Sequence, residues 1–332
     1  MTRRVTRRRA VGLTVAVALL LTAGCADDDA TGAEGDHVTV AFLRAVAGVA
    51  STEPAFLAAL RGAGFVEGNN LTVLAPDADE AYPDPAEAAA AVEGWLDEGV
   101  VLIVALSSTG ARVAADTAPD TNVLFLSTDP SATGLVTDED SPEGNLTGAS
   151  FRVPADRTLD LAQRAVPGLD VIGLAYPPAD PAAIANRDAV AAAAESLGIT
   201  LAEAEFTDGT DVAAAVAQLA AQGADALLIS TSPVATRALP ETGAAAEANG
   251  LPVIANTSVA ADFAILSLSP DTEELGRQLG RQAARLLAGE DASRVPVEDP
   301  NRFILTLSNL AAARRGITFS DGLVREADSV LG

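Results

Sequence analysis

The sequence predicts an α/β protein with parallel sheets, divided into two lobes. Three observations carry that prediction. From residue 38 onward, short apolar runs alternate with longer helical patterns, the order expected of strand-helix-strand units. Several of the runs, such as Val101–Leu106, are continuously apolar, as strands covered on both faces must be. Around ten strands in about 300 residues exceed one modest sheet, so the chain divides into two cores.

Ahead of the fold, Arg3, Arg4, Arg7, Arg8 and Arg9 precede an apolar run from Ala10 to Leu21 and then Thr22-Ala23-Gly24-Cys25. A basic start, a short apolar stretch and small residues before a break form an export signal over residues 1–24. The run is shorter than the roughly 20 residues that cross a bilayer. Leu-Thr-Ala-Gly-Cys resembles the lipobox of bacterial lipoproteins, which implies acylation of Cys25, the single cysteine of the chain. Residues 25–36 are acidic and hold no bulky apolar side chain, so a flexible tether is expected there.

Strands are then expected at Val38–Leu43, Leu71–Leu74, Val101–Leu106, Asn122–Leu126 and Leu146–Ser150. A second series follows at Val171–Ala175, Thr200–Ala204, Ala226–Ser230, Pro252–Ala255, Ala264–Leu268 and Phe303–Leu307. Leu275, Leu279, Ala283, Leu286 and Leu287 keep a helical stripe, with Asp271-Thr272-Glu273-Glu274 at its positive end. Val212, Val216, Leu219 and Ala220 form another stripe, stopped by Gly223. Trp95 falls on the stripe of Val92 and Leu96, which favours a core position over a stacking platform for a ligand. The break between lobes is expected near Ser150–Pro154, where Pro154 opens a helix.

Composition removes several function classes. Without the leader, Lys+Arg falls from 21 to 16 against 46 Asp+Glu, taking the formal charge from −25 to −30. Such a chain repels nucleic acid and anionic membrane surfaces. His37 is the sole histidine, and no Gly-x-Ser-x-Gly elbow occurs, which argues against an exported α/β hydrolase. There is no Cys/His cluster for zinc and no phosphate-binding Gly-x-x-x-x-Gly-Lys motif. The chain is therefore not expected to be an enzyme, and no cofactor and no metal are expected.

Three segments carry a family resemblance. They are Gly64-Phe65-Val66-Glu67-Gly68-Asn69-Asn70-Leu71; Thr128-Asp129-Pro130 with Gly134-Leu135-Val136 and Pro142-Glu143-Gly144-Asn145-Leu146-Thr147-Gly148; and Asn309-Leu310-Ala311-Ala312-Ala313-Arg314-Arg315-Gly316-Ile317. Together they resemble the ABC-transporter substrate-binding lipoproteins of the tryptophan/tyrosine-uptake type. The resemblance implies a type I periplasmic-binding-protein architecture: two Rossmann-like lobes joined by three crossovers. By that analogy residues 37–150 plus about 270–300 form the first lobe, and 151–269 plus about 301–332 the second. It implies a small-molecule ligand, in particular an amino acid, aromatic or apolar. It also implies a membrane permease and a cytoplasmic ATPase as partners, and a monomer held to the outer face of the cell membrane by lipid on Cys25. A lipoprotein that senses its ligand with a membrane receptor is the alternative.

Candidate ligand residues follow from the rule that open α/β sheets bind ligands beyond the carboxyl ends of their strands. Ser107, Ser108 and Thr109 lie between a strand and a helix; they can seat a carboxylate or simply cap the helix. Asp129 can accept an ammonium group or form an Asx turn before Pro130. Arg44, after the first strand, is either a carboxylate clamp or a solvated arginine; here the chain departs from the family's glutamine-aromatic stretch. In the second half, Tyr176, Thr231, Asn256 and Asp262 follow or precede strand ends.

Overall fold

A computed structural model describes residues 37–44, 52–75, 81–82, 84–229, 232–260 and 262–332. The leader, the tether and Cys25 lie outside the described residues.

In the first half, strand and helix alternate as the patterning requires: β1 (Val38–Leu43), α1 (Glu53–Gly62), β2 (Leu71–Leu74), α2 (Pro85–Asp97), β3 (Val100–Ala105), α3 (Ser108–Thr117), β4 (Asn122–Ser127) and β5 (Leu146–Ser150). The strands pair in parallel in the order β2-β1-β3-β4-β5. Because side chains alternate across a strand, β1 sends Val40 and Phe42 to one face and Ala41 and Leu43 to the other. The Ala41 face packs on α2 and α3 through Ala88, Val92, Ala111 and Ala114. Trp95 is partly buried on that core and meets Tyr82 edge-on at 6.0 Å.

The second half continues with α4 (Ala155–Ala165), β6 (Val171–Tyr176), α5 (Pro181–Leu197), β7 (Thr200–Glu205), α6 (Val212–Ala221), β8 (Ala226–Ile229), α7 (Pro233–Arg237), α8 (Leu239–Ala248), β9 (Val253–Ala255) and β10 (Leu266–Pro270). After α9 (Thr272–Leu287) come β11 (Phe303–Ser308), α10 (Asn309–Ala313), α11 (Asp321–Glu326) and β12 (Ser329–Leu331). The seven strands run in the order β12-β11-β10-β9-β8-β6-β7. All pairs are parallel except β10 with β11, which is antiparallel from Leu266↔Leu307 to Pro270↔Phe303. This reversal, and the strand β12, differ from the sequence expectation. Helices α4 and α5 cover one face of the sheet, and α6 and α8 the other.

Helix α9 belongs, by its packing, to the first sheet. Leu275, Leu279, Ala283 and Leu286 complete the core that Phe42, Phe56, Leu60, Leu102 and Leu124 begin. It lies close against α1 because Gly276 and Gly280 present no side chain: a Cβ would stand 2.2 Å from the Thr52 carbonyl oxygen or 2.6 Å from that of Phe56. Asp271 caps the helix through the Glu273 and Glu274 amides, and its own amide donates to the Arg302 carbonyl at 3.0 Å. On the way back to β11 the chain passes beside β5, where Glu298 bridges Ala149. The chain thus crosses between the sheets after β5, after β10 and before β11.

The motif segments have local work. Asn70 accepts from the Val66 amide at 2.7 Å and donates to the Gly64 carbonyl at 3.0 Å, closing the turn into β2. Asn145 donates to the Ala118 and Thr121 carbonyls, fixing the entry to β5. Gly134 adopts the left-handed conformation, φ +66°.

Candidate functional site

The carboxyl ends of both sheets contribute to one cavity of about 350 Å³. From the first sheet come Ser108, Thr109 and Arg112 on α3, with Thr128 and Thr133 from the loop after β4. From the second come Pro177 and Asp180 after β6, Thr207 after β7, and Pro233 and Val234 opening α7 after β8. Hydroxyls dominate one wall, and proline, alanine and valine the other.

The local sequence explains why these side chains face inward. Ser107 is extended and its Oγ accepts from the Gly110 amide at 3.0 Å, so it is the cap of α3. That releases Ser108 and Thr109 onto the first turn, at the cavity. A hydrogen bond of 2.7 Å joins the hydroxyls of Ser108 and Ser127, pinning the helix start to the end of β4. Arg112 stands one turn further along the same helix face; its guanidinium donates to the Thr133 carbonyl at 2.6 Å. Asp180 caps α5 by accepting from the Ala182 amide at 3.0 Å.

Several other candidates have protein partners instead. Arg44 is buried, 3% exposed, and its Nε and a terminal nitrogen donate to both oxygens of Glu53 at 2.6 and 2.7 Å. It ties the end of β1 to the start of α1, and the Glu53 hydrogen bond raises its pKa. Asp129 accepts from the Ala132 amide, the turn role, and also from Arg152 at 3.0 Å. Arg152 in addition reaches Asp299 at 3.0 Å and Glu139, whose carboxyl it holds below the usual carboxylate range. Neither Arg44 nor Asp129 lines the cavity.

Tyr176 is buried in the core under Arg187, 5.6 Å from its ring, and its hydroxyl donates to Glu205 at 3.4 Å. Burial pushes its pKa up. Asn256 is buried and accepts from the Thr158 hydroxyl at 3.0 Å. Asp262 is exposed and away from the cavity wall. Thr231 lies outside the described residues. Of the candidates, Ser108 and Thr109 are the ones brought together at the cavity, with Ser107 as their cap.

Arg112, Thr133 and Thr207 were not among the candidates. The spacing of Ser108 and Arg112 was a usable signal for the first, and the strand-end rule for Thr207. Thr133 had none, because its position depends on the loop fold. Among the described residues, no group of three or more His, Cys, Asp or Glu side chains could hold a metal ion. No helix among them is long and apolar enough to cross a membrane.

Comparison with known proteins agrees with this architecture. The family model described as ABC transporter substrate binding protein matches residues 39–331. A tyrosine-binding protein of Clostridioides difficile is 25% identical over 261 residues, covering 77% of this chain and 74% of that protein. Among solved structures, a Streptococcus pneumonia ABC domain in complex with L-Trp superposes with a TM-score of 0.78 at 20% identity, over 89% of this chain and 100% of the other. A ligand-free, open substrate-binding protein with adhesive properties from Clostridium difficile gives a TM-score of 0.73 at 24% identity, over 89% and 99%.

Proposed function

The chain belongs to the ABC transporter substrate-binding protein family, and from that premise we propose that it captures an amino acid with an apolar or aromatic side chain and delivers it to a membrane permease driven by a cytoplasmic ATPase. The observation that carries the ligand class is the cavity itself, with hydroxyls and a helix start on the first-sheet wall and Pro177, Pro181 and Val234 on the other. Hydroxyls and helix-start amides suit a carboxylate, and the apolar wall suits a hydrocarbon side chain. The tyrosine-binding relative supports the same class.

In this reading Ser108 and Thr109 receive the ligand carboxylate. A ligand touching both walls binds the closed arrangement better than the open one, so it shifts the population toward closure. The closed form is then the one that docks on the permease. The Leu-Thr-Ala-Gly-Cys segment supports an extracytoplasmic protein anchored by lipid on Cys25. Cys25→Ser should release the exported protein from the membrane fraction.

The test of the ligand class is a thermal-shift screen of the mature chain against amino acids, peptides, nucleosides and sugars. A ligand at 100 times its dissociation constant adds about 2.7 kcal/mol to stability. Stabilisation by sugars or nucleosides alone would overturn the amino acid reading. Ser108→Ala should weaken binding of the hit about tenfold, the worth of one hydrogen bond to a charged group.

A further inference from the structure

The charged side chains among the described cavity-lining residues are Arg112 and Asp180. They come from different sheets: Arg112 from α3 beside the first, Asp180 from the start of α5 beside the second. Arg112 is exposed and its described partner is a neutral backbone carbonyl, that of Thr133. Asp180 uses one oxygen to cap α5. Among the described residues no carboxylate lies within 4.0 Å of the Arg112 guanidinium, and no cation lies that near the Asp180 carboxylate, so the two are not paired with each other. Arg44 and Arg152, by contrast, are ion-paired with Glu53 and with Asp129, Glu139 and Asp299.

We propose that Arg112 and Asp180 together select a zwitterionic head group, Arg112 joining Ser108 and Thr109 on the carboxylate and Asp180 taking the ammonium, so that each lobe supplies one charge. This rests on the amino acid reading above and specifies how that site discriminates. A ligand that is only an anion meets Arg112 but also faces Asp180 with a like charge. A ligand that is only a cation has the reverse problem. A zwitterion answers both, whereas a ligand lacking either charge gives up one charged hydrogen bond and meets the other side chain with like charge. The strongly acidic chain, 46 Asp+Glu against 21 Lys+Arg, disfavours anions generally. A local cation is therefore what a carboxylate ligand needs at this place.

The experiment is isothermal titration of the mature chain with the twenty L-amino acids, then with the carboxamide and the des-amino acid of the one that binds best. Each ligand is measured on wild type, Arg112→Gln and Asp180→Asn. Asn is as good a helix cap as Asp, and unliganded melting curves check that both variants fold. Each substitution, and each removal of a ligand charge, should weaken binding about 10- to 100-fold, the worth of charged hydrogen bonds. The carboxamide should lose nothing further on Arg112→Gln, nor the des-amino acid on Asp180→Asn. Arg112→Lys, which keeps the charge, should recover part of the affinity and serves if Arg112→Gln does not fold. If wild type binds an amino acid but the losses from ligand and protein multiply, or the variants bind within about twofold of wild type, this inference is wrong while the amino acid reading stands. If no amino acid binds wild type, the amino acid reading is wrong and takes the inference with it.

Discussion

At Gly148 on β5, a Cβ would lie 2.0 Å from the Phe125 carbonyl oxygen of the neighbouring strand. The backbones are too close there for any side chain, which gives the last glycine of the Gly-Asn-Leu-Thr-Gly segment a steric reason. Gly148→Ala should destabilise the protein by about 3 kcal/mol, the cost of overpacking a rigid site, as urea unfolding would show. A loss below about 0.5 kcal/mol, ordinary for surface sites, would mean the strands yield easily. Ser108 and Thr109 were legible in the sequence because a strand end followed by hydroxyls is a local pattern. Arg44 was not, and of Asp129 only the Asx turn was, since a partner elsewhere decides the rest of their roles. Glu53 stands nine residues from Arg44 and Arg152 stands 23 from Asp129, separations that only the tertiary fold closes.

Among the elements, α9 depends on a charge cluster at its start. Glu274 accepts from Arg277 at 2.7 Å, Arg281 at 3.1 Å and Asn301 at 3.3 Å, tying the first turn to the returning chain. The Arg277 hydrogen bond is foremost in lowering its pKa from 4.5 to about 2. A lowered carboxyl pKa gives stability that is present above the unfolded value and lost as pH falls through the folded one. Wild type should therefore be more stable than Glu274→Gln near neutrality, and the difference should shrink between pH 4.5 and about 2. Urea midpoints across that range measure it; a constant difference would discard the ionic explanation. The sequence marked this helix well, because its stripe and acidic start are local. It also placed β1, β2 and β5 at their observed ends. It missed β12, whose three residues Ser329–Leu331 make too short a run, with Val330 and Leu331 still more than a third exposed. The antiparallel β10–β11 pair was hidden for a different reason: direction in a sheet is set by the route between strands, and an apolar run reads the same both ways.

For the whole molecule, closure should be visible in solution. Adding the screened ligand should lower the radius of gyration measured by small-angle X-ray scattering, and an unchanged value would count against lobe closure. Near the crossovers, Arg152 follows β5 and gathers Asp129, Glu139 and Asp299. Arg152→Met should cost about 2–3 kcal/mol in urea unfolding, since it strands charged partners; a cost near zero would show that water replaces the arginine. The excursion through α9 has a consequence for the order in which the chain can mature. The α1 face of the first sheet, with Phe42, Leu102 and Leu124, waits for Leu275, Leu279 and Leu286, which emerge from a ribosome or a translocation pore only after the second sheet's strands through β10. An N-terminal stretch leaving first cannot finish its own interior, so it stays threadable while the rest follows. A truncation ending at residue 150 should accordingly behave as an incomplete, aggregation-prone body rather than as a free-standing lobe.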